Sequence, residues 1–182
     1  MRKIKKIGLV VLLFLILAAP GFTGIRGAEW GMSKGQVKKV EGRPEKEEED
    51  RLVYVDDVGG IETQVVYLFN HREELYSIEY HFQLEQSFMM TALDQFDKIS
   101  QILYANYGPP DGGRHLSNRE KRLGMLAMEK PLVESWDKDR TTYICHMLRP
   151  EKVYRHILVY GHRALTDEYE GFRKGLGAGL ES

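Results

Sequence analysis

Cysteine is almost absent from this chain. Cys145 stands alone among 182 residues, so no intramolecular disulfide can form and stability has to come from a packed core. Cys145 sits in the apolar-rich run Tyr143-Ile144-Cys145-His146-Met147 and is expected to be an inert core thiol, because an exposed one is a liability in an oxidising compartment. A membrane-length apolar stretch is missing too: the run from Ile7 to Ala19 falls short of the ~20 residues a spanning helix needs. Excess positive charge is also lacking, since 26 Lys and Arg face 27 Asp and Glu. With no basic block, nothing marks an electrostatic footprint for nucleic acid or for an anionic membrane surface.

What is present at the start is an address. Arg2, Lys3, Lys5 and Lys6 precede the short apolar run, and the small residues Ala18-Ala19-Pro20-Gly21 close it, which is the layout of an export signal. Residues 1–21 are read as a signal peptide cut after Gly21, with Gly24 and Ala28 as alternative sites and an uncleaved N-terminal anchor as the competing reading. No cysteine follows the apolar run, so lipidation there is excluded. Removing residues 1–21 takes away four bases and no acid, moving the formal balance from −1 to −5. The expected product is a mildly acidic periplasmic or secreted protein, free of a transmembrane span once the leader is gone, and of a size that suits one domain.

The mature part opens with a helix signal. Ser33 is a good N-cap, Gln36 completes a capping box, and Met32 and Val37 flank it as a hydrophobic staple. The helix is expected from Lys34 and is stopped by Gly42 and Pro44. The acidic run Glu45 to Asp50 reads as a solvated loop. Three strand signals follow, Leu52 to Val55, Ile61 to Phe69 and Leu75 to Leu84. The last alternates Tyr76, Ile78, Tyr80, Phe82 and Leu84 with Ser77, Glu79, His81 and Gln83, the period of a strand with one buried face. Loop lengths between them suit antiparallel hairpins.

A second helix is expected from Phe88 to Tyr107, with Met89, Leu93, Phe96, Ile99, Leu103 and Tyr107 on one stripe. It ends at Gly108-Pro109-Pro110. A charged, glycine-containing linker then leads to strands at Leu132 to Trp136, Thr141 to Leu148 and Val153 to Gly161, and the tail 166–182 is expected to fray. The halves share an order: helix, Gly-x-Pro stop, three strands. Gly42 and Gly108 mark the same point 66 residues apart. The expected architecture is therefore α+β, a single domain over 28–165 made of two αβββ repeats, 28–85 and 86–165, joined in one antiparallel sheet with the helices on one face.

The phrase Trp30-Gly31-Met32-Ser33, with Val37 and the Gly42-Arg43-Pro44 stop, followed by short antiparallel strands in an exported chain, resembles the SmpA/BamE superfamily of small envelope modules, related in shape to the β-lactamase-inhibitory protein. The resemblance implies a helix-plus-sheet binding module without enzymatic activity. This chain departs from the assembly lipoproteins of that family in lacking the lipidated cysteine and in carrying two units.

Sharper chemistry finds little support. His146, His156 and His162 fall in the last two strands, where cross-strand neighbours could bring two together, but neither His-x-x-x-His on a helix nor a Cys/His cluster exists; polar positions on a sheet face explain them. Glu79 and His81 share a strand face and could form an acid/base pair, although wet strand faces routinely carry such residues. No Gly-x-Ser-x-Gly turn or Cys-His pair suggests a hydrolase. Ten strand aromatics, Tyr54, Tyr67, Phe69, Tyr76, Tyr80, Phe82, Trp136, Tyr143, Tyr154 and Tyr160, read mostly as core, with any surplus on an uncovered face available to anchor a partner. The expectation is a non-enzymatic exported protein-binding module of the cell envelope, with no catalytic, cofactor or metal residues assigned. A periplasmic small-molecule or metal-binding protein is the alternative, and a hydrolase a more distant one.

Overall fold

Ser33 turns the chain into α1 (Lys34–Glu41). In the computed structural model, which describes residues 27–84, 88–113 and 119–167, Gln36 Oε1 accepts the Ser33 backbone N–H at 2.8 Å and the Ser33 hydroxyl at 3.1 Å. Val37 is fully buried and Met32 packs against the same cluster, so the staple fixes the angle at which the helix meets the sheet. Gly42 ends α1 at φ 87°, and Gly108 ends α2 (Met89–Tyr107) at φ 79°, a left-handed turn that a β-branched residue resists. A Cβ at Gly42 would meet nothing within 4 Å, so Gly42→Val is expected to cost about 1–2 kcal/mol through backbone strain alone, with Ser33→Ala costing about 1 kcal/mol. Urea melts read both, and unchanged midpoints would disprove the roles given to these two residues.

The strands are β1 (Lys46–Glu47), β2 (Arg51–Asp57), β3 (Glu62–Phe69), β4 (Leu75–Phe82), β5 (Gly112–Gly113), β6 (Leu132–Asp137), β7 (Thr142–Arg149) and β8 (Arg155–His162), with α3 (Arg119–Ala127) between β5 and β6. They form one eight-stranded sheet in the order β1-β2-β3-β4-β8-β7-β6-β5, with every neighbouring pair antiparallel. The fold is α+β. Two hairpin meanders meet at the β4–β8 ladder, which runs from Ser77 opposite Gly161 to Phe82 opposite His156.

Four elements depart from the sequence reading. The acidic run after Pro44 is not wholly loop, because Lys46 and Glu47 pair with Val53 and Leu52 as β1. The linker after Gly108 contains β5 and α3. Gly124 interrupts the latter's helical pattern in sequence, yet Met125 and Leu126 are buried and supply the packing that propensity lacks. Residues 163–167 are helical. The leader 1–21 and the tail from 168 lie outside the described residues.

Because side chains alternate along each strand, the ladder register defines two faces. On the inner face one rung runs Leu52, Tyr67, Ile78, Tyr160, Ile144, Trp136 across six strands, and the next runs Tyr54, Val65, Tyr80, Leu158, His146, Glu134. The strand residues of the first rung join Val37, Ile99 and Leu103 in one core cluster, while Leu93, Phe96, Met125 and Leu126 pack with Leu132 and Leu148 in a second. Each fully buried Leu or Ile contributes roughly 1.5–3 kcal/mol. Two indoles pin the periphery: Trp30 Nε1 donates to Thr142 Oγ1 at 3.0 Å and Trp136 Nε1 to the Gly108 carbonyl at 2.9 Å.

Candidate functional site

Two places concentrate unusual side chains, one on each face of the sheet. On the inner face, three neighbouring strands each carry a polar residue in a buried phase. Glu134 alternates with Leu132 and Trp136, His146 with Ile144 and Leu148, and His156 with Leu158 and Tyr160. Their relative exposures are 4 %, 0 % and 1 %, against the expectation that the histidines occupy wet positions of a sheet face. Apolar residues occur in both phases of β7, and the expectation of a core Cys145 chose the wrong one; packing under α2 turned His146 inward and Cys145 outward.

The three are linked in a chain. His146 Nε2 lies 2.7 Å from His156 Nε2, and His156 Nδ1 lies 2.7 Å from Gln95 Oε1. Gln95 Nε2 donates to the Gln83 carbonyl at 2.9 Å. At the other end His146 Nδ1 is 3.4 Å from Glu134 Oε2, which accepts the Ser100 hydroxyl at 2.7 Å, while the Tyr104 hydroxyl donates to Glu134 Oε1. Phe96 stacks on His146 at 4.1 Å and Phe82 on His156 at 4.4 Å. Burial works to raise the Glu134 carboxyl, but the facing His146 ring and the bonds from Tyr104 and Ser100 outweigh it and hold the group below its ordinary value. Burial lowers both imidazoles: Glu134 partly opposes this at His146, and a charge on His146 adds to it at His156. The Ser100 hydroxyl donates to the carboxylate at 2.7 Å and lies 3.4 Å from His146 Nδ1, and it is buried, closed off from any substrate that a nucleophile would have to reach.

Among the described residues, no group of three or more His, Cys, Asp or Glu side chains converges as a metal ligand set. His162 is not part of the buried pair; its ring lies edge-on to Trp30 with centroids 6.1 Å apart. Sequence reasoning missed Glu134, Ser100, Gln95 and Tyr104. The available signal was phase: Ser100 stands on the apolar stripe between Phe96 and Leu103, and Glu134 stands between two inward residues.

The outer face is aliphatic. Its rungs are Val53, Val66, Glu79, Val159, Cys145, Ser135 and Val55, Gln64, His81, Ile157, Met147, Val133. Cys145 is therefore half-buried on this face and not a core thiol; burial raises its pKa, which keeps it a weak nucleophile. Glu79 and His81 do meet, at 2.7 Å, with side chains 27 % and 31 % exposed. They form a polar centre between Val53, Val55 and Val66 on one side and Val159, Ile157 and Met147 on the other. Of the ten strand aromatics, Tyr54, Tyr67, Phe69, Tyr80, Phe82, Trp136 and Tyr160 are core. Tyr143 covers Gly161 at the margin of the outer face, with the Arg163 guanidinium over its ring. A contiguous aromatic patch is thus replaced by an aliphatic one. No helix among the described residues is long and apolar enough to cross a membrane. Compared with protein-family models, curated proteins and solved structures, the chain matches none of them significantly.

Proposed function

We propose that this chain is an exported, non-enzymatic module of the cell envelope that binds another protein through the outer face of its sheet. The observation that carries the reading is the band Val53, Val66, Val159, Ile157, Met147 and Val133, which draws on five strands and is divided at β4 by the Glu79–His81 pair. Such a band gives a partner apolar area, and the hydrogen-bonded polar pair gives it a register. Edge pairing is less suited. The β1 edge consists of Lys46 and Glu47, both exposed, and charge on a short edge strand discourages strand addition.

The same reading takes the chain as two repeats related to SmpA/BamE modules, with all helices on the inner face. Support comes from the strand order, in which β1 to β4 and β5 to β8 run inward from opposite edges, and from the matching glycine turns that end α1 and α2. The extra helix α3 distinguishes the second unit.

A photo-crosslinking residue placed at Val159 or Met147 in the native envelope is expected to yield one discrete adduct, and one at Gln101, exposed on α2, none. Ile157→Arg should weaken adduct formation about tenfold or more while leaving the thermal midpoint close to that of the unsubstituted protein. Equal adducts from Gln101, or none from the sheet positions, would overturn the assignment.

A further inference from the structure

The direction of the buried hydrogen-bond chain is fixed at one end by the backbone. The Gln83 carbonyl can only accept, so Gln95 presents its Nε2 there and its Oε1 to His156. His156 must then carry its proton on Nδ1, which leaves Nε2 as a lone pair that accepts from His146 Nε2–H at 2.7 Å. One additional proton has a place in this arrangement. It goes to His146 Nδ1, where it faces the Glu134 carboxylate. A second has none, because on His156 Nε2 it would point at the His146 N–H across a hydrogen-bond distance, inside the core.

We propose that the buried His146–His156 pair is an acid-operated latch: α2 stays seated on β6, β7 and β8 only while the pair carries no more than one extra proton. The groups that close the latch belong to α2, which contributes Gln95, Phe96, Ser100 and Tyr104, while the histidines and Glu134 belong to the sheet. Doubly protonated, the pair repels itself and loses the bond that joins β7 to β8 on the inner face. Relief requires water, and water enters when α2 lifts. Gln95 lines a solvent-open cleft with Glu62, Gln83 and Thr91, which gives protons a route to His156.

Other charged groups around the latch do not replace it. On α2, Asp97 is held by Arg119 and Arg122 of α3, and Asp94 by Arg119. On β6 the facing group is Glu134, and β4 presents Phe82 to His156, its own His81 and Glu79 lying on the outer face. Tyr104 and Tyr160 stay neutral across the acid range, burial raising both. Because burial holds His156 well below its ordinary 6.5, the folded form excludes a proton that the unfolded chain takes up. The latch is fully effective above that pH and weakens as pH falls beneath it, by up to tenfold in equilibrium constant per pH unit for each excluded proton. The inference is independent of what binds the outer face.

The test compares the full mature protein with His156→Gln, whose amide can accept from His146 and donate to Gln95 without titrating. Between pH 7 and pH 5 the unfolding constant of the unsubstituted protein should change by about twentyfold more than that of the variant, and α2 amides should lose hydrogen-exchange protection relative to β3 amides as pH falls. Equal pH responses in the two proteins would overturn the latch. Should the variant not fold, the ring nitrogens of the unsubstituted protein decide by NMR. His156 must keep the neutral Nδ1–H form until α2 loses protection, and a His156 ring that takes its second proton while α2 remains protected would dispose of the proposal.

Discussion

Cutting the chain between Gly113 and Arg114 is expected to leave two fragments that are each largely unfolded and that recover structure only on mixing. The cut parts α2 from the strands it covers: Phe96 stacks on His146, Ser100 and Tyr104 bond Glu134, and Trp136 reaches back to Gly108. It also exposes the β4 edge, which in the intact chain is paired with β8 over six residue positions. The buried Ile78 and Tyr80 would lose Tyr160 and Leu158 as neighbours. Shorter chains hide a smaller share of their unfolded surface, about 60 % near 60 residues against about 70 % near 150, and neither fragment can close a disulfide to compensate. Circular dichroism and proton NMR of residues 27–113 check this. A well-dispersed spectrum from that fragment alone, or two separate melting transitions in the intact protein, would establish two autonomous domains instead.

Glu134→Ala is expected to lower stability by about 2–4 kcal/mol, since each hydrogen bond to a buried charged group is worth about 1.5–3 kcal/mol. The loss is large because the carboxylate takes the Tyr104 and Ser100 hydroxyls and faces His146, so truncation removes a buried charged acceptor shared by three polar groups. Glu134→Gln, which still accepts, should cost less. Replacing Glu134 and His146 together by apolar residues of similar size should be milder than the sum of the single changes. Denaturant melts at neutral pH measure all four proteins, and additivity of the two single losses would mean that the groups do not act as a unit. The sign of the pH dependence differs between the partners. Glu134, held below its ordinary 4.5, contributes stability that is present above that pH and lost as pH falls through its lowered value. The histidines begin to withdraw theirs already below about 6.5.

Much of the architecture was legible along the chain. The box at Ser33 and Gln36, the stops at Gly42 and Gly108, the stripe of α2 and the six long strands are local signals, each written in neighbouring residues, and they fix the element order and the α+β class without reference to anything distant. Short elements were not legible. β1 is two charged residues and β5 two glycines, with no period to read, and α3 has a glycine where its pattern needed a continuous turn. They exist because longer strands and the core offer them partners.

The candidate sites divide in the same way. Glu79 and His81 could be paired in advance, since alternate residues on one strand share a face by geometry. Whether His146 or Cys145 faced inward could not, because residues 143 to 147 are apolar in one phase and nearly so in the other. That choice was made when β7 took its register beside β8 and α2 came down over both. Sequence determined which stretches are helix or strand, because backbone propensity and side-chain period act over a few residues; the tertiary structure alone decided which polar groups were buried together, because desolvation and hydrogen bonding between Gln95, Glu134, His146 and His156 exist only once three strands and a helix share one space.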